Sequence, residues 1–335
     1  MNEKSIEPNL FDFAQSELSQ DAILCWLFSW SDPKFRSVNS ELNEAGQKLL
    51  KLIFQKHKLK LPSKVSITVD WQVEHADLIV EVGDNYVVLV EDKTKTNHHG
   101  DQLLRYLRST RKRYPDRKVL PAFMKTGDQC DFVDIESCGY CVCKRSDILS
   151  CIWPNKDLKI KSDILRDWAE YLSSKEESIK SFWQKPVANW TSDQWTGLYQ
   201  DLRHHFPDLG WKYVHNPAGG FMGAWWGWQA VGNEQLYLQI NERDLCIRIE
   251  AGEVENRTAT RERWHQKFVQ SGSKNATIQP QRPTRFGNGK TMTVAVVPRE
   301  QWLLVDSKGL LKLPDTLQRL RNATSLLRQA SRMRK

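Results

Sequence analysis

The chain reads as an α/β protein in two parts: a central mixed sheet flanked by helices, then a smaller α+β domain rich in antiparallel strands. Two observations predict this. Up to residue 175, apolar runs with two-residue alternation trade places with segments of helical spacing, in the order strand, strand, helix, strand, strand, helix. Beyond residue 190, four strand-like runs and a terminal helix follow in a composition that turns basic. A chain of 335 residues, 40% hydrophobic and 27% charged, can bury roughly three quarters of the surface it exposes when unfolded. The stretch from about Lys180 to Trp195 mixes tryptophans with Pro186 and small polar residues, which divides the chain into domains over 1–180 and 190–335.

Each element has a local reason. Ser16-Glu17-Leu18-Ser19-Gln20-Asp21 precedes the dense apolar run Ala22 to Phe28, predicting a buried helix with a polar N-terminal end. Leu42, Ala45, Leu49, Leu52 and Ile53 predict a second helix over 41–56, and Pro62 separates it from an extended stretch, Val65 to Val73. Two apolar strands, Ala76 to Val82 and Tyr86 to Val90, flank Gly83-Asp84-Asn85, a hairpin turn. Gly100 to Tyr114 sets Leu103, Leu104 and Leu107 against Arg105, Arg108, Arg111, Lys112 and Arg113, an amphipathic helix stopped by Pro115. Val119 to Phe123 and Gly139 to Cys143 read as strands, and a helix over Lys161 to Lys175 closes the first part. In the second, Phe221 to Val231, Gln235 to Asn241, Leu245 to Glu250 and Met292 to Val297 read as strands, and Leu317 to Met333 as a helix. Gln270 to Lys290, rich in Gly, Ser, Asn, Gln and Pro, reads as a long loop.

Composition excludes several classes. The longest apolar run has seven residues, Ala22 to Phe28, against the ~20 needed to span a bilayer. The start, Met-Asn-Glu-Lys, lacks a secretory pattern, so no membrane association and a cytoplasmic protein are expected. Seven cysteines leave one over in any all-disulfide scheme and point to a reducing compartment. The sequons at Asn189, Asn256, Asn275 and Asn322 are then chance matches. Residues 1–180 hold 27 Lys/Arg and 28 Asp/Glu, whereas 181–335 hold 22 and 13. A basic field of that kind concentrates polyanions, which makes nucleic acid a candidate partner.

The chemistry concentrates around the hairpin. Side chains alternate along a strand, so Asp77, Ile79 and Glu81 share one face, as do Val87, Leu89, Glu91 and Lys93. With Asp84 at the turn centre, antiparallel partners sum to 168, which sets Asp77 beside Glu91 and Lys93 one step beyond. Apolar flanks argue against a solvated face, and two adjacent acids there require a cation. Hard oxygen ligands with no His or Cys favour Mg²⁺ or Mn²⁺, which polarise phosphoryl oxygens and activate water. Lys93 would hold the attacking water and offset charge on phosphorus. Gln102 and Tyr106, four apart, share a helix face near the strand ends. Arg105 and Arg108 either line a nucleic-acid path or solvate the helix.

These residues resemble the PD-(D/E)XK nuclease superfamily, in particular its bacterial branch with a Glu-bearing first helix and a Gln-x-x-x-Tyr helix after the catalytic strands. The matching residues are Asp77 in His75-Ala76-Asp77-Leu78-Ile79-Val80, Glu91-Asp92-Lys93, and Gln102-Leu103-Leu104-Arg105-Tyr106, over roughly residues 10–150. Ala76 stands where the family often has Pro. The resemblance implies a restriction-endonuclease-like core in which Asp77 and Glu91 bind the metal with the Asp92 carbonyl. Lys93 aids the water, Gln102 supports the site, and the first-helix glutamate falls on Glu17, with Asp21 competing for that role. It implies Mg²⁺-dependent hydrolysis of DNA in bacterial defence or DNA processing, and by analogy a homodimer. Two other readings stay open: a binding or effector-sensing protein whose nuclease fold is inactive or partner-gated, and a ribonuclease.

Elsewhere the signals are weaker. The Cys138, Cys141 and Cys143 cluster has no second Cys-x-x-Cys and reads as buried free thiols rather than a zinc site. Glu74 reads as exposed, and His98-His99 and His204-His205 as loop or surface pairs. Trp226 and Trp228 share one face of their strand and Trp225 takes the other, serving a core or a base-stacking platform. Arg243 and Arg248, with Arg261 and Arg263 nearby, form a candidate nucleic-acid or small-anion site, and a small-molecule or protein regulator at this domain stays open.

Overall fold

The computed structural model describes residues 7–73, 76–94, 100–216, 219–252, 256–273 and 277–332. The readings at Glu74, His75, His98-His99, Asn275 and Met333 lie outside these residues. The chain divides into two units, residues 1–177 and 178–335, each built on a five-stranded sheet. Among the described residues no helix is long and apolar enough to cross a membrane.

The first unit runs α1 (Glu17–Trp30), α2 (Ser40–Lys56), β1 (Ile67–Val73), β2 (Ala76–Val82), β3 (Tyr86–Lys93) and α3 (Gln102–Arg113). It continues through β4 (Lys118–Lys125), α4 (Val133–Ser137), β5 (Cys141–Lys144), α5 (Arg145–Ile152) and α6 (Asp163–Lys180). The sheet order is β1-β2-β3-β4-β5, antiparallel across the first three strands and parallel across the last two pairings. Alternation sorts its two faces. Leu78, Val80, Val88 and Val90 pack with Leu24 and Leu27 of α1 and Leu49 and Ile53 of α2. Ile79, Val87, Leu89 and Phe123 pack on the other face with Leu103 and Leu107 of α3. β3 is therefore buried on both sides from Val87 to Lys93.

Two local features fix α1 over the mouth of the sheet. The Ser16 hydroxyl caps the helix by accepting from the Ser19 amide at 3.1 Å. A Cβ on Gly46 would sit 2.4 Å from the Leu27 carbonyl oxygen, so only glycine lets α2 pass α1 this closely.

The second unit runs α7 (Ser192–His205), β6 (Gly210–Val214), β7 (Phe221–Val231), β8 (Glu234–Ile240), β9 (Leu245–Ala251) and α8 (Arg257–Gly272). β10 (Thr291–Val297), α9 (Arg299–Trp302) and α10 (Leu313–Arg332) complete it. Its sheet, ordered β10-β9-β8-β7-β6, is antiparallel throughout. α10 packs on β7 and β8, and α8 on β9 and β10. The sequence reading lacked α7, β6, α8 and α9, and it started the terminal helix four residues late.

One expectation about the tryptophans is overturned. Trp226 pairs with Leu238, but Gln229 pairs with Leu236, so β7 holds one residue more than β8 between them. Gly227, at φ +76°, takes that extra place. Trp226 is fully buried and donates from Nε1 to the Thr324 hydroxyl of α10 at 2.9 Å. Trp228, shifted in phase, points to the opposite face together with Trp225.

Candidate active site at the mouth of the first sheet

The hairpin register is the one the turn dictates: Leu78 pairs with Val90 and Ile79 with Leu89, a sum of 168. The ladder stops there. One step beyond, the Asp77 carboxylate accepts the Asp92 amide at 2.8 Å, which ties the two strand ends together where pairing has ended.

Lys93 draws the acids together. Its Nζ lies 2.8 Å from Glu91 Oε1, 3.7 Å from Asp77 Oδ2 and 3.7 Å from Glu17 Oε2, and it donates to the Asp92 carbonyl at 2.8 Å. Burial opposes the ammonium charge, but the Glu91 hydrogen bond and the charges of Glu91, Asp77 and Glu17 outweigh it and raise the lysine above its ordinary value. From α3, Gln102 donates to Glu91 Oε1 at 2.8 Å and to the Tyr106 hydroxyl at 3.1 Å. The structure thus brings Glu17, Asp77, Glu91, Lys93, Gln102 and Tyr106 into one connected group.

A second layer lies beneath it, and sequence reasoning missed most of it. The Asp92 side chain turns to the α1 face, where Gln20 Nε2 donates to Oδ1 and the Thr126 hydroxyl donates to the Gln20 side-chain oxygen Oε1. Arg145 donates to the Thr126 carbonyl at 2.6 Å and pairs with Asp128 and Glu176. Asp21, buried like Gln20, lies close enough to Asp77 and Lys93 to feel both charges. Lys125 stands beside Lys93 in the parallel pairing of β3 and β4 and is 1% exposed. Burial pushes it down to about 8, against the pull of Glu17, Asp92 and Asp128. The available signal was position: the N-terminal turn of α1 and the last residues of β4 meet the same sheet edge as Lys93.

Electrostatics sets this cluster apart. Burial, then the charge of Asp77, pushes both Asp21 and Glu91 up to about 7. Burial also raises Asp77, and raises Asp92 well above the carboxylate range despite the Gln20 hydrogen bond. Asp21 Oδ1, Glu91 Oε2 and Asp92 Oδ2 are buried without a hydrogen-bond partner. Carboxylate oxygens left this way are costly. Among the described residues, Lys93 and Lys125 are the cations whose charges act on this group of acids.

Paired acids in an apolar setting need a compensating cation. Lys93 itself is the cation on the shared face, and it also takes the Asp92 carbonyl. Among the described residues no group of three or more His, Cys, Asp or Glu side chains is arranged to hold a metal ion. The donor set nevertheless fits a hard cation, because Asp77, Glu91 and the Asp92 carbonyl offer only oxygen and Glu91 Oε2 is buried without a partner.

The remaining assignments sort by position. Arg105 and Arg108 are exposed on α3, with Arg105 paired to Asp101 at 3.1 Å. Arg243 is exposed at a turn before β9, and Arg248 lies on the sheet face opposite α8, donating to the Thr293 hydroxyl at 3.0 Å. Arg261 and Arg263 do not join them. Arg261 donates to the Gly287 carbonyl at 2.7 Å and Arg263 pairs with Glu234, so both hold α8 in place. All seven cysteines are free thiols. No protein-family model, curated protein or solved structure matches this chain.

Proposed function

We propose that the chain is a metal-dependent phosphodiesterase acting on DNA, built on a restriction-endonuclease-like core. One observation carries this reading: an acid pair and a lysine stand together at the end of a hairpin, Glu91 Oε2 is buried there without a partner, and the Asp21 and Asp92 carboxyl groups behind it each hold a further orphan oxygen. A structural ion pair has no use for such a deficit, whereas a site that takes a cation and a phosphate does.

Asp77, Glu91 and the Asp92 carbonyl would hold Mg²⁺ or Mn²⁺, which supplies Lewis-acid polarisation of a phosphoryl oxygen and activation of water. The chain's own residues do the rest. Lys93, relieved of part of its contact with Glu91, holds the attacking water and offsets negative charge building on phosphorus. Gln102 fixes the Glu91 carboxylate, and Tyr106 fixes Gln102. Gln20 and Thr126 hold the Asp92 side chain, and with it the carbonyl that the site needs. Exposed Arg105 and Arg108, on the same helix as Gln102 and Tyr106, would supply positive charge for a phosphate backbone.

The test is digestion of supercoiled, linear and single-stranded DNA, with matched RNA, in Mg²⁺ or Mn²⁺. Lys93→Ala, Asp77→Ala and Glu91→Ala are each expected to lower cleavage by at least about 10²–10³-fold while remaining folded. Undiminished cleavage by these variants overturns the reading. The second reading, a catalytically silent binder, draws on the contact of Lys93 with three acids. It predicts DNA binding without divalent-ion binding at Asp77 and Glu91.

A further inference from the structure

We propose that the face of the second sheet opposite α8 and α10 is a platform for single-stranded nucleic acid. Trp225 and Trp228 would stack successive bases, and Lys212 and Arg248 would take the phosphates. This proposal is independent of the catalytic reading, since every residue in it belongs to the second unit.

The β7 bulge is the first argument. Had β7 kept its phase, Trp228 would share the buried face with Trp226. Gly227 instead re-aims it, and the Gly227 amide donates to Asp208 at 2.7 Å, which pins the irregularity. The result is a large aromatic side chain 41% exposed. It is not loose: its ring stacks on Tyr237 at 4.2 Å and 23°. An indole held against a tyrosine yet this exposed is a ready stacking surface.

Cross-strand register supplies the second argument. Continuing the pairing beyond the bulge sets Trp228 opposite Tyr237; Tyr237 pairs with Arg248 and Arg248 with Thr293. This makes one row across four strands, aromatic, aromatic, cationic, hydroxyl. Arg248 donates through Nη1 to Thr293, while its buried Nε has no hydrogen-bond partner. The neighbouring row starts at Trp225, over whose ring Lys212 Nζ lies at 5.8 Å. Gly210 makes room there, since a Cβ would meet the Trp225 indole nitrogen at 2.7 Å.

Spacing and charge select the occupant. Trp225 and Trp228 oppose β8 residues two apart, so their platforms lie about 7 Å from each other along the strand. A mononucleotide would engage one indole, but consecutive unpaired bases engage both. Residues 181–335 carry 22 Lys/Arg against 13 Asp/Glu, the complement of a polyanion.

The test uses the full chain with a fluorescein-labelled twelve-residue oligothymidylate, read by anisotropy in EDTA so that nothing is cleaved. Trp228→Ala is expected to weaken binding about 5- to 100-fold, the range for losing one stacked base, and Trp228→Phe to retain most of it. Arg248→Gln is expected to reduce the slope of log Kd against log salt by about 0.7. A common urea midpoint for Trp228→Ala and Trp228→Phe keeps the comparison free of misfolding. Unchanged binding by folded Trp228→Ala overturns the proposal. So does competition by thymidine monophosphate at the same concentration as the oligomer, or tight duplex binding with none of the single strand. With no divalent ion and no cleavage readout, failure here leaves the catalytic reading untouched.

Discussion

Strand β2 carries Asp77 near one end and Glu81 near the other, four residues apart on one face, and their surroundings diverge. Glu81 accepts from the Tyr114 hydroxyl at 2.9 Å and from Arg117, so each oxygen has a donor. Burial alone would raise it, yet these two partners hold it below the usual carboxylate range. Asp77 is half-buried like Glu81, yet desolvation raises it, and the Asp92 amide and Lys93 are not enough to stop that rise. At the Glu81 end donors match acceptors; at the Asp77 end, among the described residues, acids outnumber cations and carboxyl oxygens on Asp21, Glu91 and Asp92 go without partners. An acid that only fastens the fold is one whose hydrogen bonds are complete, and the unfinished end is where a further cation and a phosphate are expected.

The largest effect that tests this contrast is on cleavage. Glu91→Gln is expected to lose at least about 10²–10³-fold in kcat/KM on plasmid DNA, while Glu81→Gln changes it less than about threefold. Equal losses would erase the distinction.

Next in size is the response to Mg²⁺. At a hundred times Kd it should add about 2.7 kcal/mol to the stability of the native chain at pH 8. The gain should shrink at pH 5.5, where protons compete for the same oxygens, and vanish in Glu91→Gln. Thermal melts with and without EDTA measure it.

Smaller effects concern the metal-free protein. Asp21→Asn at pH 8 should stabilise it by on the order of 1–3 kcal/mol, because a buried charge is removed. Glu81→Gln should cost under about 1 kcal/mol, the range of a half-exposed pair. Urea titrations in EDTA separate the two by sign.

The pH dependence has opposite signs at the two ends. Asp21 and Glu91 titrate near 7 when folded and lower when unfolded. The native state therefore holds extra protons between about pH 4 and 7, and stability falls as pH rises through that window. Glu81 is depressed, so its contribution is present above its unfolded value and is lost as pH falls through the folded one. A flat stability profile in EDTA from pH 5 to 8 would contradict the first half of this account.

Much of the first sheet was legible because strand alternation and a three-residue turn are local signals. Gly83-Asp84-Asn85 set the register that put Asp77 near Glu91, and the four-residue spacing of Gln102 and Tyr106 set their shared face. The buried polar layer was not legible. Gln20 and Thr126 look like surface residues in a sequence, and only the convergence of α1 and β4 makes them partners. α8 was missed because Thr260, Trp264 and Phe268 are few apolar marks in an Arg-rich segment. The phase of Trp228 was missed because one glycine among tryptophans does not announce an extra residue; it emerges only when β7 is counted against β8.

The ammonium of Lys93, seated among Glu91, Asp77 and Glu17, has a consequence for how a newly made chain matures. Small zinc domains collapse when stripped by a chelator, because the ion is their folding energy. Here the polypeptide brings its own cation to the acids, so the chain is expected to fold fully in EDTA, and on the proposed reading adding and removing Mg²⁺ should switch cleavage on and off without passing through a denatured state.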